Sequence, residues 1–299
     1  MAGSKIVKFP EPRGNPRYFK SKMWKDLVGQ SGRPSKEEIA RSFAQGAKNY
    51  DHYATIQRLV SRTLAKKVSD AVNARNKTIL DIGCGTGFLG ESFLEILQED
   101  TSSIKFYLSD LSREMLEICQ EKYEAIIPNS LFLAMDGELS CLRKNFDIVL
   151  SSLAFQWFNN LEKSFAEILN PANCPKLFSF SILGPETMKE WREFAERNNF
   201  QVGLLELLNK DQLLDLIKKS NISKKKYICR FERQLISKTY PDLYSFLREM
   251  KMIGANTPNI SYKPHDPGKL RRLLRLAKDE YKNGFISTFE IYYFIILFD

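Results

Sequence analysis

The chain has 299 residues, 43% of them hydrophobic, with 45 Lys and Arg against 36 Asp and Glu and a formal net charge of +9. That length and apolar share can fill one large α/β core with insertions or two small domains, and one main core is expected. Five scattered cysteines without a CxxC pair, and only His52 and His265, argue against a disulfide framework, a zinc site or a histidine-ligated metal, so metal-free chemistry in a reducing, cytoplasmic compartment is expected.

Residues 1–35 read as a flexible basic arm: Lys5, Lys8, Arg13, Arg17, Lys20, Lys22 and Lys25 accompany Pro10, Pro12 and Pro16, without the apolar stretch of a secretory signal. A transit peptide is the rival reading, opposed by Glu11, Asp26 and prolines that break an amphipathic helix. Residues 36–299 read as one domain. Positions 36–70 are helical in pattern, with Ser35 as N-cap, Glu38 completing a capping box, and a break near Tyr50 and Asp51. A short apolar strand at 77–82 runs through a glycine turn into an amphipathic segment at 88–98. A second strand, 104–109, ends at Asp110 and is followed by a helix from Ser112 to Tyr123. A third, 130–135, closes on Asp136-Gly137. The fourth, 146–151, is the nearly continuous apolar run of a strand buried on both faces, and the fifth spans 176–183.

After Gly184, helices are expected at 185–198 and 204–220, a sixth strand at 227–237, helices at 240–252 and 267–281, and a seventh strand at 289–298. The last strand contains the longest apolar run, Ile291 to Phe298, whose eight residues fall far short of a membrane-spanning helix. Strands alternating with helices predict a Rossmann-like α/β fold: a mostly parallel seven-stranded sheet, helices on both faces, and a helical insertion after the fifth strand at about 185–225 and 240–282.

The sharpest motif is Asp81-x-Gly83-x-Gly85-x-Gly87 at a strand-to-helix junction. Glycines let the backbone pass close to a ligand, and the helix N-terminus offers free N–H groups and a positive dipole end, so a nucleotide-type cofactor is implied. The dinucleotide fingerprint needs a third glycine where Phe88 stands, which makes NAD the weaker reading. Asp110, 29 residues after Asp81, is placed to accept both ribose hydroxyls of a bound nucleoside, and Asp136 closes the next strand. Taken singly, Asp81 and Asp110 would serve as turn or cap residues; their serial placement favours a cofactor. Glycine loop, ribose clamp and third acidic turn form the arrangement of class I methyltransferases, whose cofactor is S-adenosyl-L-methionine. The expected contacts are Asp81, Gly83, Cys84, Gly85, Gly87, Asp110, Leu111, Met115, Asp136, Gly137 and Ser152.

Residues 43–57 (FAQGAKNYDHYATIQ), 79–87 (ILDIGCGTG) and 108–116 (LSDLSREML) are general methyltransferase signals, whereas 151–157 (SSLAFQW), 180–190 (FSILGPETMKE) and 252–256 (MIGAN) discriminate further. From about Phe43 onward these stretches resemble the malonyl-acyl-carrier-protein O-methyltransferases of biotin synthesis. The resemblance implies methyl transfer from S-adenosylmethionine to the free carboxylate of a malonyl thioester on acyl carrier protein; separately, the shortness of the apolar runs argues against a membrane partner. It also implies that residues 43–57 pack over the cofactor, with Tyr50 as a lid contact.

Tyr50, Tyr53 and Gln57 fall at i, i+3 and i+7, which is also the spacing of an ordinary core stripe. Ser152, Gln156 and Trp157 follow the fourth strand, beyond the carboxyl ends where open α/β sheets bind ligands, although Trp157 can equally fill core. Tyr50, Gln156 and Trp157 are therefore the positioning candidates. An acceptor carboxylate is already ionised at neutral pH, so no general base is needed and His52 is not taken as one. Lys189 and Arg192 are candidates for holding that carboxylate, each equally readable as a solvated helix face.

Basic clusters at Lys218-Lys219, Lys224-Lys225-Lys226 and Lys269-Leu270-Arg271-Arg272 with Arg275 would steer an acidic carrier protein, though any one alone is an ordinary solubilising surface. The motifs describe the cofactor and not the acceptor. Another small acid or RNA stays open, as does a non-catalytic assembly protein on this fold. RNA is the weaker, because no basic stripe interleaved with aromatics is present. The intact Gly83, Gly85, Gly87, Asp110 and Gln156-Trp157 set speaks against a lost cofactor site.

Overall fold

Parallel strands around the glycine turn set the frame of the computed structural model, which describes residues 7–8, 33–74, 77–97, 104–123, 127, 129–138, 145–170, 172, 174–221, 225–263 and 265–299. A two-residue strand β1 (Val7–Lys8) pairs in parallel with β4 (Leu131–Ala134) at one edge. Inward from β4 lie β3 (Lys105–Asp110), β2 (Thr78–Ile82), β5 (Ile148–Ser152) and β6 (Leu177–Leu183), all parallel. Beyond β6 the sense reverses: β8 (Phe285–Phe298) runs antiparallel to it, and β7 (Tyr227–Tyr240) closes the far edge antiparallel to β8. The order is β1-β4-β3-β2-β5-β6-β8-β7, the expected seven-stranded mostly parallel sheet with the Val7–Lys8 pair added. The rest of the expected N-terminal arm, up to residue 32, lies outside the described residues.

Side-chain alternation places a core on each face of the sheet. In β8, Ile291, Tyr293 and Ile295 point to one face, where Val60, Leu64, Phe93 and Phe246 pack, while Tyr292, Phe294 and Ile296 point to the other with Phe155, Phe165 and Phe178. That division explains the unbroken apolar run read in the sequence: both parities are buried, as in a strand covered on both sides. The edge strand β7 alternates instead: Ile228, Arg230 and Glu232 are exposed in its first half, and after Arg233 the exposed set changes parity to Leu235, Ser237 and Thr239. Charged side chains on an exposed edge oppose sheet-to-sheet pairing.

Helices α1 (Lys36–Tyr53) and α2 (Thr55–Ser69) precede β2, and α3 (Phe88–Leu97), α4 (Arg113–Tyr123) and α5 (Leu161–Ile168) follow the first strands. The Ser35–Glu38 capping box forms as read: Glu38 N–H donates to Ser35 Oγ at 3.2 Å and Ser35 N–H to Glu38 Oε2 at 2.9 Å. The break falls at the fully buried Ala54, later than the expected Tyr50–Asp51. The insertion supplies α6 (Lys189–Arg197), α7 (Lys210–Ser220), α8 (Leu243–Met252) and α9 (Pro267–Glu280).

Three boundaries moved for readable reasons. Helix α7 starts at Lys210 rather than 204, because Asn209 and Gln212 form the reciprocal capping box. Helix α8 starts after Asp242, whose carboxylate accepts Ser245 N–H at 2.7 Å, leaving Tyr240 to β7. Strand β8 begins four residues before 289, directly after Gly284, whose φ of +102° makes the turn.

Candidate active site

At the carboxyl edge of the parallel strands, the glycine turn and α1 enclose a cleft of about 890 Å³ counting its open mouth. Asp81, Gly83, Cys84, Gly85, Asp110, Leu111, Met115, Asp136, Gly137 and Ser152 all line it, as do Tyr50 and Trp157. Gly87 and Gln156 do not. A Cβ on Gly87 would meet the Tyr123 ring at 2.6 Å and Cys119 Sγ at 2.9 Å, so this position lets α4 pack against the turn. Gly85 has φ +56° and open space where a Cβ would be, which leaves its backbone approachable from the cleft.

The two aspartates differ in how they are satisfied. Asp110 Oδ2 accepts Gly85 N–H and Oδ1 accepts Ser112 N–H, each at 2.8 Å, which fixes the carboxylate and leaves further lone pairs on each oxygen. Burial raises the pKa of Asp110, opposed by N–H bonds from Ser112, Gly85 and Leu111. Both carboxylate oxygens of Asp81 are buried without a hydrogen-bond partner among the described residues. Burial, with the nearby Asp110 charge, pushes the Asp81 carboxyl up to about 8. A buried acid without a partner is costly, and fits a ligand that brings a cationic donor.

A pH dependence follows. An acid whose folded pKa lies above its ordinary value binds a proton that the unfolded chain releases, so stability falls as pH rises from about 4 to about 8. The melting temperature of the ligand-free protein is expected to decline across that window, and Asp81→Asn to flatten the decline. A cationic ligand expels the same proton, so its affinity is expected to rise by up to about tenfold per pH unit below 8. Calorimetry in two buffers of different ionisation heat checks this by counting the protons released.

Helix α1 roofs the cleft and is tied at both ends. At its start, Lys36 pairs with Glu138 and, at 3.6 Å, Asp136, and lies 4.8 Å above the Phe158 ring. Just before it, Arg33 donates to the Gln156 carbonyl at 2.7 Å. At its end, Asp51 pairs with Lys122 and accepts the Thr86 hydroxyl at 2.6 Å. Tyr50 stacks on Phe88 with ring centroids 5.8 Å apart, and burial beside Asp110 and Asp51 keeps its phenol protonated. Because Ala54 breaks the helix, Tyr50 and Gln57 reach the cleft from different helices, and Tyr53 is not among its lining residues. Phe43 meets Trp157 edge to face at 5.3 Å. Across α1's outer side the backbones of Gly46 and Gly254 touch: a Cβ on Gly46 would lie 2.7 Å from Gly254 N. Lys36 and Glu138 were not singled out in the sequence, since nothing local marks them, whereas Phe43 opens the stretch expected over the cofactor.

Trp157 also forms one wall of a second cavity, about 1090 Å³ with its mouth, which Gln156 joins. Leu183, Met188, Trp191, Phe246, Met250 and Tyr262 make it mostly apolar. Arg192 is the one cation among its described lining residues, which include no carboxylate, and its guanidinium donates to the Pro185 carbonyl. Gln156 Nε2 donates to the Leu153 carbonyl at 2.6 Å, while its Oε1 is buried without a partner among the described residues. Leu153, directly after β5, and Met188, the residue that precedes α6, hold φ of +51° and +57°, backbone strain of a kind that clusters at functional sites. Lys189, by contrast, is on the surface with Glu186, and His52 lies against Tyr53. The Ser152 hydroxyl is shared with Ser61 and Ser181, each at 3.1 Å, tying α2 to the sheet.

Residues 79–171 match a family model described as a methyltransferase domain. A malonyl-(acyl-carrier protein) O-methyltransferase 2 of Ilyobacter polytropus is 32% identical over 252 residues, 84% of this chain and 92% of that protein. A malonyl-(acyl-carrier protein) O-methyltransferase of Magnetococcus marinus is 28% identical over 255 residues, 85% of this chain and 90% of that one. The crystal structure of a candidate methyltransferase of Bacillus halodurans C-125 superposes with a TM-score of 0.53 at 14% identity, covering 78% of this chain and 97% of that chain, a likeness of fold.

Proposed function

Since the chain belongs to the malonyl-acyl-carrier-protein O-methyltransferase family, we propose that it transfers a methyl group from S-adenosylmethionine to the free carboxylate of a malonyl thioester on acyl carrier protein, an early step of biotin synthesis. The observation that carries the reading is the pair of cavities meeting at Trp157: one with a ribose clamp and an unpartnered buried acid, the other apolar with one guanidinium and no carboxylate. An acid acceptor with a thioester tail suits the second, whereas a nucleic acid would call for several phosphate contacts. Residues 36–299 act as one methyltransferase unit. No helix among the described residues is long and apolar enough to cross a membrane.

When bound, S-adenosylmethionine supplies a methyl group on a cationic sulfur. Asp110 would accept the ribose hydroxyls, its orientation already set by Gly85 and Ser112 N–H. Asp81 would take the cationic donor that its buried oxygens lack. Tyr50, held on Phe88, and the pinned helix α1 keep water from the cleft. Arg192 would orient the acceptor carboxylate, and Gln156 and Trp157 stand at the junction through which the acceptor oxygen approaches. Catalysis then consists of holding an already ionised oxygen in line at about 3–3.5 Å, without a general base.

The deciding experiment measures label transfer from radiolabelled S-adenosylmethionine to malonyl-acyl carrier protein, malonyl-CoA and bulk RNA. Base-labile label on the malonyl carrier is expected; cofactor binding with no transfer to any malonyl thioester would sink the acceptor assignment. Arg192→Met should raise the KM for the malonyl thioester by roughly 10- to 100-fold, the worth of one charge-assisted hydrogen bond, with cofactor affinity unchanged. An unchanged KM would remove Arg192 from the site.

A further inference from the structure

Helix α9 is held to the body along a narrow seam. Only Leu273 and Ala277, four residues apart, are buried. Five of its residues, Lys269, Arg271, Arg272, Arg275 and Lys278, are basic, against Asp279 and Glu280. Arg271, Arg275 and Lys278 fall at i, i+4 and i+7, on one outward face. Leu276, 41% exposed, borders Lys269 and Arg272, while Leu270 continues the seam at i+3 and i+7 to Leu273 and Ala277. Among the described residues no hydrogen bond or ion pair holds Arg271, Arg272 or Arg275. Guanidinium groups without partners, beside an exposed leucine, compose a protein interface better than a solvated face.

The helix is also joined to the second cavity. Lys269 Nζ lies 5.8 Å over the Phe200 ring, and His265 packs on the same ring with centroids 3.9 Å apart. His265 in turn meets Tyr262, a cavity wall residue, edge to face at 6.0 Å. The rival cluster Lys218–Lys219 closes α7, whose buried Leu213 and Ile217 pack on the opposite face of the sheet from Trp191 and Phe246.

We propose that the outward face of α9 docks the acidic acyl carrier protein, so that the carrier's thiol-bearing arm enters the cavity behind Tyr262. The proposal rests on the acceptor reading above and adds where the carrier sits. Charge complementarity of this kind acts mainly on encounter rate, so it should appear in kcat/KM and be lost as salt rises.

The test compares wild type with the triple variant R271E/R272E/R275E on malonyl-acyl carrier protein and on the small thioester malonyl-N-acetylcysteamine, with tRNA binding measured in parallel. The expected result is a KM for the malonyl carrier raised by roughly tenfold or more and stripped of its salt dependence, with turnover of the small thioester unchanged. An unchanged KM for the carrier, with the small thioester still turned over, would overturn the docking face and leave the acceptor reading standing. Failure of wild type on both malonyl thioesters would overturn the acceptor reading, and the docking proposal with it. Loss of tRNA binding with carrier kinetics intact would assign the face to nucleic acid instead.

Discussion

Asp110→Asn is expected to weaken cofactor binding by at least about 100-fold, because it replaces two charge-assisted acceptors with a neutral amide. One amide position would set an NH2 against either Gly85 N–H or Ser112 N–H, the donors that now hold the carboxylate at 2.8 Å. The turn loses its anchor as well as its acceptor, so a loss of stability of about 1–3 kcal/mol should accompany the loss of affinity. Titration calorimetry with S-adenosylmethionine and a denaturant melt measure the two separately. A dissociation constant within a few-fold of wild type would show that Asp110 is a structural cap and that the ribose is held elsewhere.

Gly46→Ala is the second change with a large expected effect, and its sign opposes helix propensity. In the middle of a helix, alanine is favoured over glycine by about 1 kcal/mol. Here the new methyl would sit 2.7 Å from Gly254 N and 2.9 Å from both the Ile253 carbonyl carbon and the Met252 oxygen, all main-chain atoms. Backbone cannot rotate aside as a side chain does, so α1 must lift from α8, at a net cost of about 1–3 kcal/mol. Lifting α1 also shifts Tyr50 and Phe43, so cofactor affinity should fall in protein that is still folded. Denaturant melts combined with cofactor titration below the transition check both; a variant more stable than wild type would refute the close helix crossing.

The parts of this molecule that could be read from sequence were those written in contiguous residues. Asp81 through Gly87 disclosed a strand, a turn and a helix start together, and the run 291–298 disclosed a strand buried on two faces. Residues beyond such windows were hidden. The second cavity draws on Gln156, Met188, Leu204, Phe246 and Tyr262, positions no local pattern connects. Gln156 reads from sequence as a positioning candidate beyond the carboxyl end of β5, but which cavity it joins is decided by the turn at 155–157, which sets it on the second one while Trp157 lines both. Gly87 likewise fitted a cofactor motif, yet the space beside it is filled by Tyr123 and Cys119. The missing partner of Asp81 could not be read at all, since an unsatisfied carboxylate is a property of its surroundings.

The strand order has a kinetic side. β8 comes after β7 in the chain yet sits between β7 and β6, and the Ser179 hydroxyl reaches the Phe294 carbonyl 115 positions away. The β7–β8 pairing, whose nearest partners Tyr240 and Phe285 are 45 positions apart, closes a shorter loop than the β6–β8 pairing, whose nearest partners Leu183 and Ile291 are 108 apart. The ribbon therefore forms at a lower entropy cost, and its docking onto β6 comes later. Until then β6 presents an open apolar edge, so during refolding this seam is the place where a neighbouring chain competes for the same hydrogen bonds.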